Sequence, residues 1–168
     1  MSPQLSGNPR GASLRTALAS RGTEITDVTD AEFRSAAETE SPQGILVIAV
    51  TPKRSLETFA ATDPLRMLVL DAVQDPGNVG TLIRTAAGLG ATASVALPGT
   101  VDLWNAKVVR SAMGAHFLHS AFHCTWDELR LFLDAEHIPL WGTAADGTSL
   151  DRRTAPDQSV TTLAWCLT

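Results

Sequence analysis

Short, nearly continuous apolar runs recur along the second part of the chain, and stretches with helical periodicity separate them. Four such runs predict strands, at residues 67–73, 94–97, 116–122 and 138–143. The intervening stretches predict helices, at residues 79–88, 105–113 and 126–136. Strands that alternate with helices of this length are typical of parallel βαβ units. This part of the chain is therefore predicted to be an α/β domain with a Rossmann-like parallel sheet.

The first part of the chain predicts a smaller α/β unit. Its helix-forming stretches lie at residues 13–20 and 30–38. The β-branched run 45–50 predicts a buried strand, and a cluster of turn formers and charge follows at 61–64. We place the domain boundary at that cluster, which gives domains of residues 1–62 and 63–168.

The turn after the strand at 67–73 is the candidate functional site, because parallel sheets bind ligands beyond the carboxyl ends of their strands. Its residues Asp-Pro-Gly-Asn predict a tight turn in which Asn78 caps the next helix. Arg84 falls outside the apolar stripe of that helix, with Gly80 and Gly88 one turn to either side. We therefore expect an open surface around the Arg84 guanidinium.

The segment 73–91, VQDPGNVGTLIRTAAGLGA, resembles the first motif of SpoU (TrmH-like) RNA ribose 2′-O-methyltransferases, which belong to the SPOUT superfamily. The segment 106–117, AKVVRSAMGAHF, is similar to the block that follows in that family. Residues 41–50 resemble the end of the L30e-like RNA-binding domain that many members carry. The resemblance implies a partial L30e-like domain followed by a SPOUT-type methyltransferase domain.

The same resemblance implies roles for two residues of the motif. Arg84 matches the arginine that binds the substrate's phosphate and helps to activate the ribose 2′-hydroxyl, and Asn78 matches the residue that holds the active-site loop. A guanidinium matches a phosphate in geometry but loses its proton only above pH ~12, so it serves better to orient and stabilise charge than as a free base. We therefore predict Arg84 and Asn78 as the catalytic residues.

The family also implies the cofactor and the partners. S-adenosylmethionine would contact Thr143 and Ala144, at the end of the strand at 138–143. The partner would be tRNA or rRNA, contacted by Lys107, Arg110 and Ser111. Family members form homodimers, and no membrane partner is implied.

The two later motifs of the family do not occur in the sequence as it stands. These are a Gly-Asn-Glu loop and a segment with Ser and Asn that passes through the trefoil knot and completes the cofactor pocket. The run 160–168 resembles the strand that leads into the Gly-Asn-Glu loop. We therefore expect an incomplete domain without the knot and with most of the dimer surface missing, so the activity of this exact chain is a separate question from its family.

Two other functions stay open. A non-catalytic RNA-binding fragment would keep the first domain and part of the sheet. A nucleotide-binding oxidoreductase would use the glycine-rich turn for phosphate, but neither GxGxxG nor GxxxxGK[ST] occurs there. The net charge of −5 opposes nucleic-acid binding, although the segment 64–118 is net positive.

Four potential metal ligands cluster in HFLHSAFHC, namely His116, His119, His123 and Cys124. On a strand, His116 and His119 would point to opposite faces, so we predict no metal site. We expect His119 and His123 to face solvent or to be polar positions at strand ends. The apolar runs are too short to cross a bilayer, and the first twenty residues lack the apolar core of a secretory signal. We expect a cytoplasmic protein.

Overall fold

The computed structural model describes residues 1–2, 5, 7–37, 39, 41–59 and 65–143, and the backbone of 163–167. The chain divides into two compact units, Met1–Val50 and Thr51–Thr168. The division falls earlier in the chain than the boundary predicted after residue 62. Among the described helices, none is both long enough and apolar enough to cross a membrane.

The first unit contains two helices, α1 (Pro9–Ser20) and α2 (Asp30–Ala36). Helix α1 begins earlier than predicted because the Asn8 side chain caps it and a proline occupies its first turn. Helix α2 begins with a capping box between Thr29 and Glu32. The L30e-like nature of this unit stays a prediction.

The buried strand predicted at residues 45–50 is wrong. The segment has no regular secondary structure, and four of its apolar side chains are exposed: Leu46, Val47, Ile48 and Val50. A β-branched run shows only that a segment suits a strand, whereas a strand also needs a partner for its backbone groups. No strand among the described residues pairs with this run.

The second unit contains the sheet and the helices that cover it. Its strands are β1 (Arg66–Leu70), β2 (Ala93–Ala96), β3 (Ser120–His123), β4 (Leu140–Thr143) and β5 (Leu163–Leu167). Its helices are α3 (Pro76–Gly88), α4 (Ala106–Ser111), α5 (Trp126–Ala135) and a 3-10 helix (Ala115–Phe117). The predicted α/β architecture is confirmed.

The sheet has the order β3-β2-β1-β5-β4, and every neighbouring pair is parallel. From the central strand β1 the chain runs outward through β2 and β3 on one side, and then forms β4 and β5 on the other. The order therefore reverses between β1 and β5. In open parallel sheets, ligands bind beyond the carboxyl ends of the strands at such a reversal.

Each face of the sheet carries its own apolar core. Helices α3 and α4 cover one face, with Leu70, Val79, Ile83, Ala96, Val108, Ala112 and Ala121 among the buried residues. Helix α5 and the segment before β1 cover the other, with Leu56, Met67, Val69, Val95, Phe122, Leu129 and Leu133 among them. Successive residues of β1 alternate between the two cores, as the pleat of a strand requires.

The strand predicted at 116–122 is only partly right. The chain first forms the 3-10 helix, in which the Ala115 carbonyl accepts hydrogen bonds from the backbone N–H groups of Leu118 and His119. Pairing with β2 begins only at Ser120, which lies opposite Ala93. Gly114, whose φ is +87°, makes the bend before the 3-10 helix. An apolar run alone does not distinguish a buried strand from a buried turn of helix.

Candidate active site

The turn between β1 and α3 lies where the strand order reverses. Asp75 caps α3, and its side-chain carboxylate accepts a hydrogen bond from the Asn78 backbone N–H at 2.7 Å. The prediction that Asn78 is the cap is therefore wrong. Pro76 takes the first helical position, where its fixed φ and missing N–H cost nothing, and this makes the residue before it the cap. The Asn78 residue is exposed in the first turn.

The loop after β2 is hydrogen-bonded to this turn. Leu70 O accepts from the Leu97 backbone N–H at 2.9 Å and from the Thr100 hydroxyl at 3.0 Å. Ala72 has a φ of +54°, a conformation that costs an alanine on the order of 1–2 kcal/mol. A Cβ on Gly99, whose φ is +91°, would lie 3.2 Å from the Ala72 Cβ. The two loops therefore hold each other in a fixed, partly strained shape.

Helices α3 and α4 approach closely at Gly80. A Cβ on this glycine would lie 2.0 Å from the Ser111 Oγ and 2.5 Å from the Val108 carbonyl oxygen. Gly80 is therefore covered by α4. The sequence predicted that this glycine opens the surface around Arg84, and for Gly80 that prediction is wrong. The Ser111 hydroxyl lies 3.2 Å from the Pro76 carbonyl oxygen and 2.7 Å from that of Lys107, which ties α4 to the start of α3.

Arg84 is exposed and lines a cleft of about 610 Å³ at the amino ends of β2 and β3. Gly88, Gly114 and Ala115 line the same cleft, so its walls beside the guanidinium are low. Arg84 is six residues beyond Asn78, which corresponds to about 9 Å along a helix. The two predicted catalytic residues therefore lie toward opposite ends of the strands, Asn78 near the carboxyl ends and Arg84 near the amino ends.

The remaining predicted contacts lie on separate elements. Lys107 and Arg110 are exposed on α4. Thr143 ends β4, which β5 separates from β1, so it stands two strand spacings, about 10 Å, from the end of β1. Ala144 lies outside the described residues. The structure thus brings the Asn78 turn and Ser111 together and leaves Arg84 and Thr143 apart from them.

Comparisons with known proteins identify the family of the chain. The sequence model of the SpoU rRNA Methylase family matches residues 66–164, from the start of β1 into β5. The chain belongs to this family. The resemblance drawn from the motif is therefore confirmed, and a nucleotide-binding oxidoreductase is set aside.

Several relatives of this SpoU-family chain are known. The 23S rRNA (guanosine(2553)-2'-O)-methyltransferase RlmP of Bacillus subtilis (strain 168) is 40% identical over 112 residues, which cover 67% of this chain and 43% of the relative. The mitochondrial rRNA methyltransferase 3 of Homo sapiens is 36% identical over 102 residues, 58% of this chain and 24% of the relative. The chain thus aligns with less than half the length of these two relatives.

The fold matches a solved structure more completely. A crystal structure of AdoMet-bound rRNA methyltransferase from Sinorhizobium meliloti superposes with a TM-score of 0.80 and 24% sequence identity. The superposition covers 94% of this chain and 60% of that chain. At this identity the likeness shows that the SpoU-family chain has the SPOUT-type fold.

Two histidines of the predicted cluster are buried in the SpoU-family domain. His119 is buried directly before β3, with its Nε2 2.9 Å from the Ser94 Oγ. Of the two alternatives predicted for it, a solvent-facing side chain is wrong, and a polar position at a strand end agrees with the structure. His116 is fully buried edge-on to the Trp104 ring, with 4.5 Å between the ring centroids, and neither ring nitrogen has a hydrogen-bond partner. No group of three or more potential metal ligands occurs within the described part of the chain.

The surroundings of these histidines favour their neutral forms. Burial, and then the nearby Arg54 cation, lower the pKa of His116. Burial lowers the pKa of His119 as well, followed by His116 and Arg54. Arg54, which the sequence did not single out, donates a hydrogen bond from Nη1 to the His119 carbonyl oxygen at 2.8 Å. Its only sequence signal is the charged pair Lys53-Arg54 before β1.

Proposed function

We propose that this chain is part of an S-adenosylmethionine-dependent RNA ribose 2′-O-methyltransferase whose substrate is ribosomal RNA, with tRNA as the alternative. The observation that carries the proposal is the helix α3, which starts where the strand order reverses and exposes Arg84 within the segment that matches the SpoU family. The names of RlmP and mitochondrial rRNA methyltransferase 3 support rRNA over tRNA.

Ribose methylation requires positioning more than acid–base strength. S-adenosylmethionine supplies a methyl group on a sulfonium, and the 2′-oxygen must approach that carbon in line with the departing sulfur. The N–H groups of the Arg84 guanidinium would hold the phosphate next to the reacting ribose. Its positive charge would also stabilise the negative charge that develops on the 2′-oxygen as the proton leaves for water.

We place the cofactor at the carboxyl edge of β1, β5 and β4. Leu70 lies opposite Leu167, and Leu167 lies opposite Thr143, so the three strands end in one row. A Cβ placed on Gly142 would meet no atom of the described residues within 4 Å. Thr143 would contact the cofactor here, and the predicted contact at Ala144 would follow it. Asn78 would hold the loop at the same edge.

The proposal includes RNA contacts, location and assembly. Lys107 and Arg110 are exposed cations on α4 that would bind phosphates, whereas the Ser111 contact is proposed with a hydroxyl that already faces carbonyl oxygens. We further propose a cytoplasmic location and the homodimer of the family. Cell fractionation tests the first, and light scattering on the purified chain tests the second.

Methyl transfer to RNA tests the proposal directly. The chain is incubated with labelled S-adenosylmethionine and ribosomal RNA, beside the variant Arg84→Ala and a matched control, Arg130→Ala, on the exposed side of α5. Loss of one preorganised stabiliser of charge is expected to lower the rate on the order of 10²-fold or more. The control should keep the wild-type rate.

Two outcomes would contradict the proposal in different ways. Methylation that survives Arg84→Ala would remove the role of that residue. RNA binding with a steep salt dependence, but without affinity for S-adenosylmethionine, would select a non-catalytic RNA-binding fragment.

A further inference from the structure

The cleft at Arg84 continues into a second cleft across the amino ends of β2 and β3. Both clefts are lined by Thr92, which precedes β2, and by Ser120, which begins β3. Arg84 lies at one end, and Lys53 and Arg54 lie at the other. We call this continuous depression the amino-edge groove. Its described lining residues all belong to the second compact unit.

The charge of the amino-edge groove is opposite to that of the chain. The whole chain has 18 acidic and 13 basic residues, yet no aspartate or glutamate among the described residues lines either cleft. Lys53, Arg54 and Arg84 all line it, and none of them forms an ion pair with a carboxylate among the described residues. Because these cations lack acidic partners, they concentrate positive electrostatic potential along the groove of a protein whose net charge is negative.

The far end of the groove is held in place by backbone contacts. Arg54 donates from Nη1 to the His119 carbonyl oxygen at 2.8 Å, which fixes its guanidinium while other N–H groups remain to bind a ligand. Leu56, two residues later, is buried in the core beneath α5. Arg54 is therefore anchored by its own side chain and by the buried residue that follows, so that little of its side-chain freedom is lost when an anion binds.

We propose that the amino-edge groove binds the phosphodiester backbone of the RNA next to the nucleotide that is methylated, with Lys53 and Arg54 as phosphate-binding residues. The inference rests on the proposed function, because Arg84, which is proposed to hold the phosphate beside the reacting ribose, lies at one end of the groove. Contacts of this kind carry no base information, so the groove sets the position and direction of the strand and does not select its sequence.

Binding of a short, labelled single-stranded RNA, measured by fluorescence anisotropy at several salt concentrations, tests the inference. The full chain is compared with Lys53→Ala, Arg54→Ala and the control Arg130→Ala. Each groove variant should weaken binding roughly three- to tenfold and reduce the slope of log Kd against log salt by about 0.7, as loss of one phosphate contact predicts for a single strand. The control should change neither quantity.

A second variant separates loss of contact from loss of fold. Arg54→Lys keeps the charge and should bind RNA more tightly than Arg54→Ala, and all variants should keep the wild-type melting temperature. If Lys53→Ala and Arg54→Ala leave affinity and salt slope unchanged while wild type binds and methylates RNA, the groove is refuted and the proposed function stands. If wild type neither binds nor methylates RNA, both fail. Competition by an acidic peptide as strong as that by RNA would assign the groove to a protein partner and overturn the inference.

Discussion

Replacing Gly80 by alanine tests the closest contact in the candidate site. The new Cβ would lie 2.0 Å from the Ser111 Oγ, 2.5 Å from the Val108 carbonyl oxygen and 2.9 Å from the Ala112 backbone nitrogen. Two of these neighbours are backbone atoms, which cannot rotate away as a side chain can. Helix α4 would therefore have to move away from α3.

The magnitude follows from two opposing effects. Overpacking costs about 1–3 kcal/mol, and two backbone neighbours place this site near the upper limit. Alanine in a helix gains about 1 kcal/mol over glycine. We therefore expect Gly80→Ala to lower the free energy of unfolding by about 2 kcal/mol. Gly88→Ala, on the same helix and with no described atom within 4 Å of the new Cβ, should instead raise it by about 0.5 kcal/mol.

Urea denaturation followed by circular dichroism measures both variants. The two midpoints should move in opposite directions from wild type at an unchanged m-value. Adding Ser111→Ala to Gly80→Ala should recover only part of the loss, because the Oγ clash disappears and the two backbone clashes remain. If Gly80→Ala is as stable as Gly88→Ala, the described packing of α4 on α3 is incorrect.

Three further outcomes follow from the same structure. Asp75→Ala should lower the free energy of unfolding by about 1 kcal/mol because the helix loses its cap. Asn78→Ala should leave stability unchanged and lower only the rate of methyl transfer. Equal decreases in melting temperature for the two variants would contradict this. Because the pKa values of His116 and His119 are lowered in the folded chain, the unfolded chain binds more protons at acidic pH. The free energy of unfolding should therefore be at its full value above about pH 6.5 and decline below it. Melting temperatures measured over a pH series should show a weaker decline for His116→Leu. Burial raises the pKa of Cys124 to about 11, so in a Cys166→Ser background its thiol should react with a disulfide reagent far more slowly at pH 8 than after unfolding.

Much of the sheet could be predicted because its signals are local. The capping box of Thr125 and Glu128 starts α5 where the sequence places it, and the apolar runs at 67–73 and 94–97 overlap all but the first residue of β1 and β2. These features depend on residues within one turn or one strand. The motif around Arg84 was found for the same reason, since its spacing is contained in a single helix.

The features that could not be predicted depend on distant partners. The run at 45–50 has strand composition but no partner strand in the described residues. His119 is buried with its ring nitrogen hydrogen-bonded to the Ser94 hydroxyl, which lies on the neighbouring strand. The Arg54 guanidinium is positioned by a hydrogen bond to the His119 carbonyl oxygen, 65 residues later in the chain. Periodicity contains no information about such contacts.

The spacing of Asn78 and Arg84 takes on a meaning in the structure that the sequence did not show. Six helical residues separate them, so the motif spans from the carboxyl edge, where the cofactor is proposed, to the amino-edge groove, where the RNA backbone is proposed. Gly80 lies between the two and sets how closely α3 approaches α4. The motif therefore specifies the position of α3 as well as two side chains. A shift of α3 would move both Asn78 and Arg84 with respect to the sheet. On this argument Gly80→Ala should weaken S-adenosylmethionine binding and RNA binding together, whereas Lys53→Ala should weaken RNA binding alone.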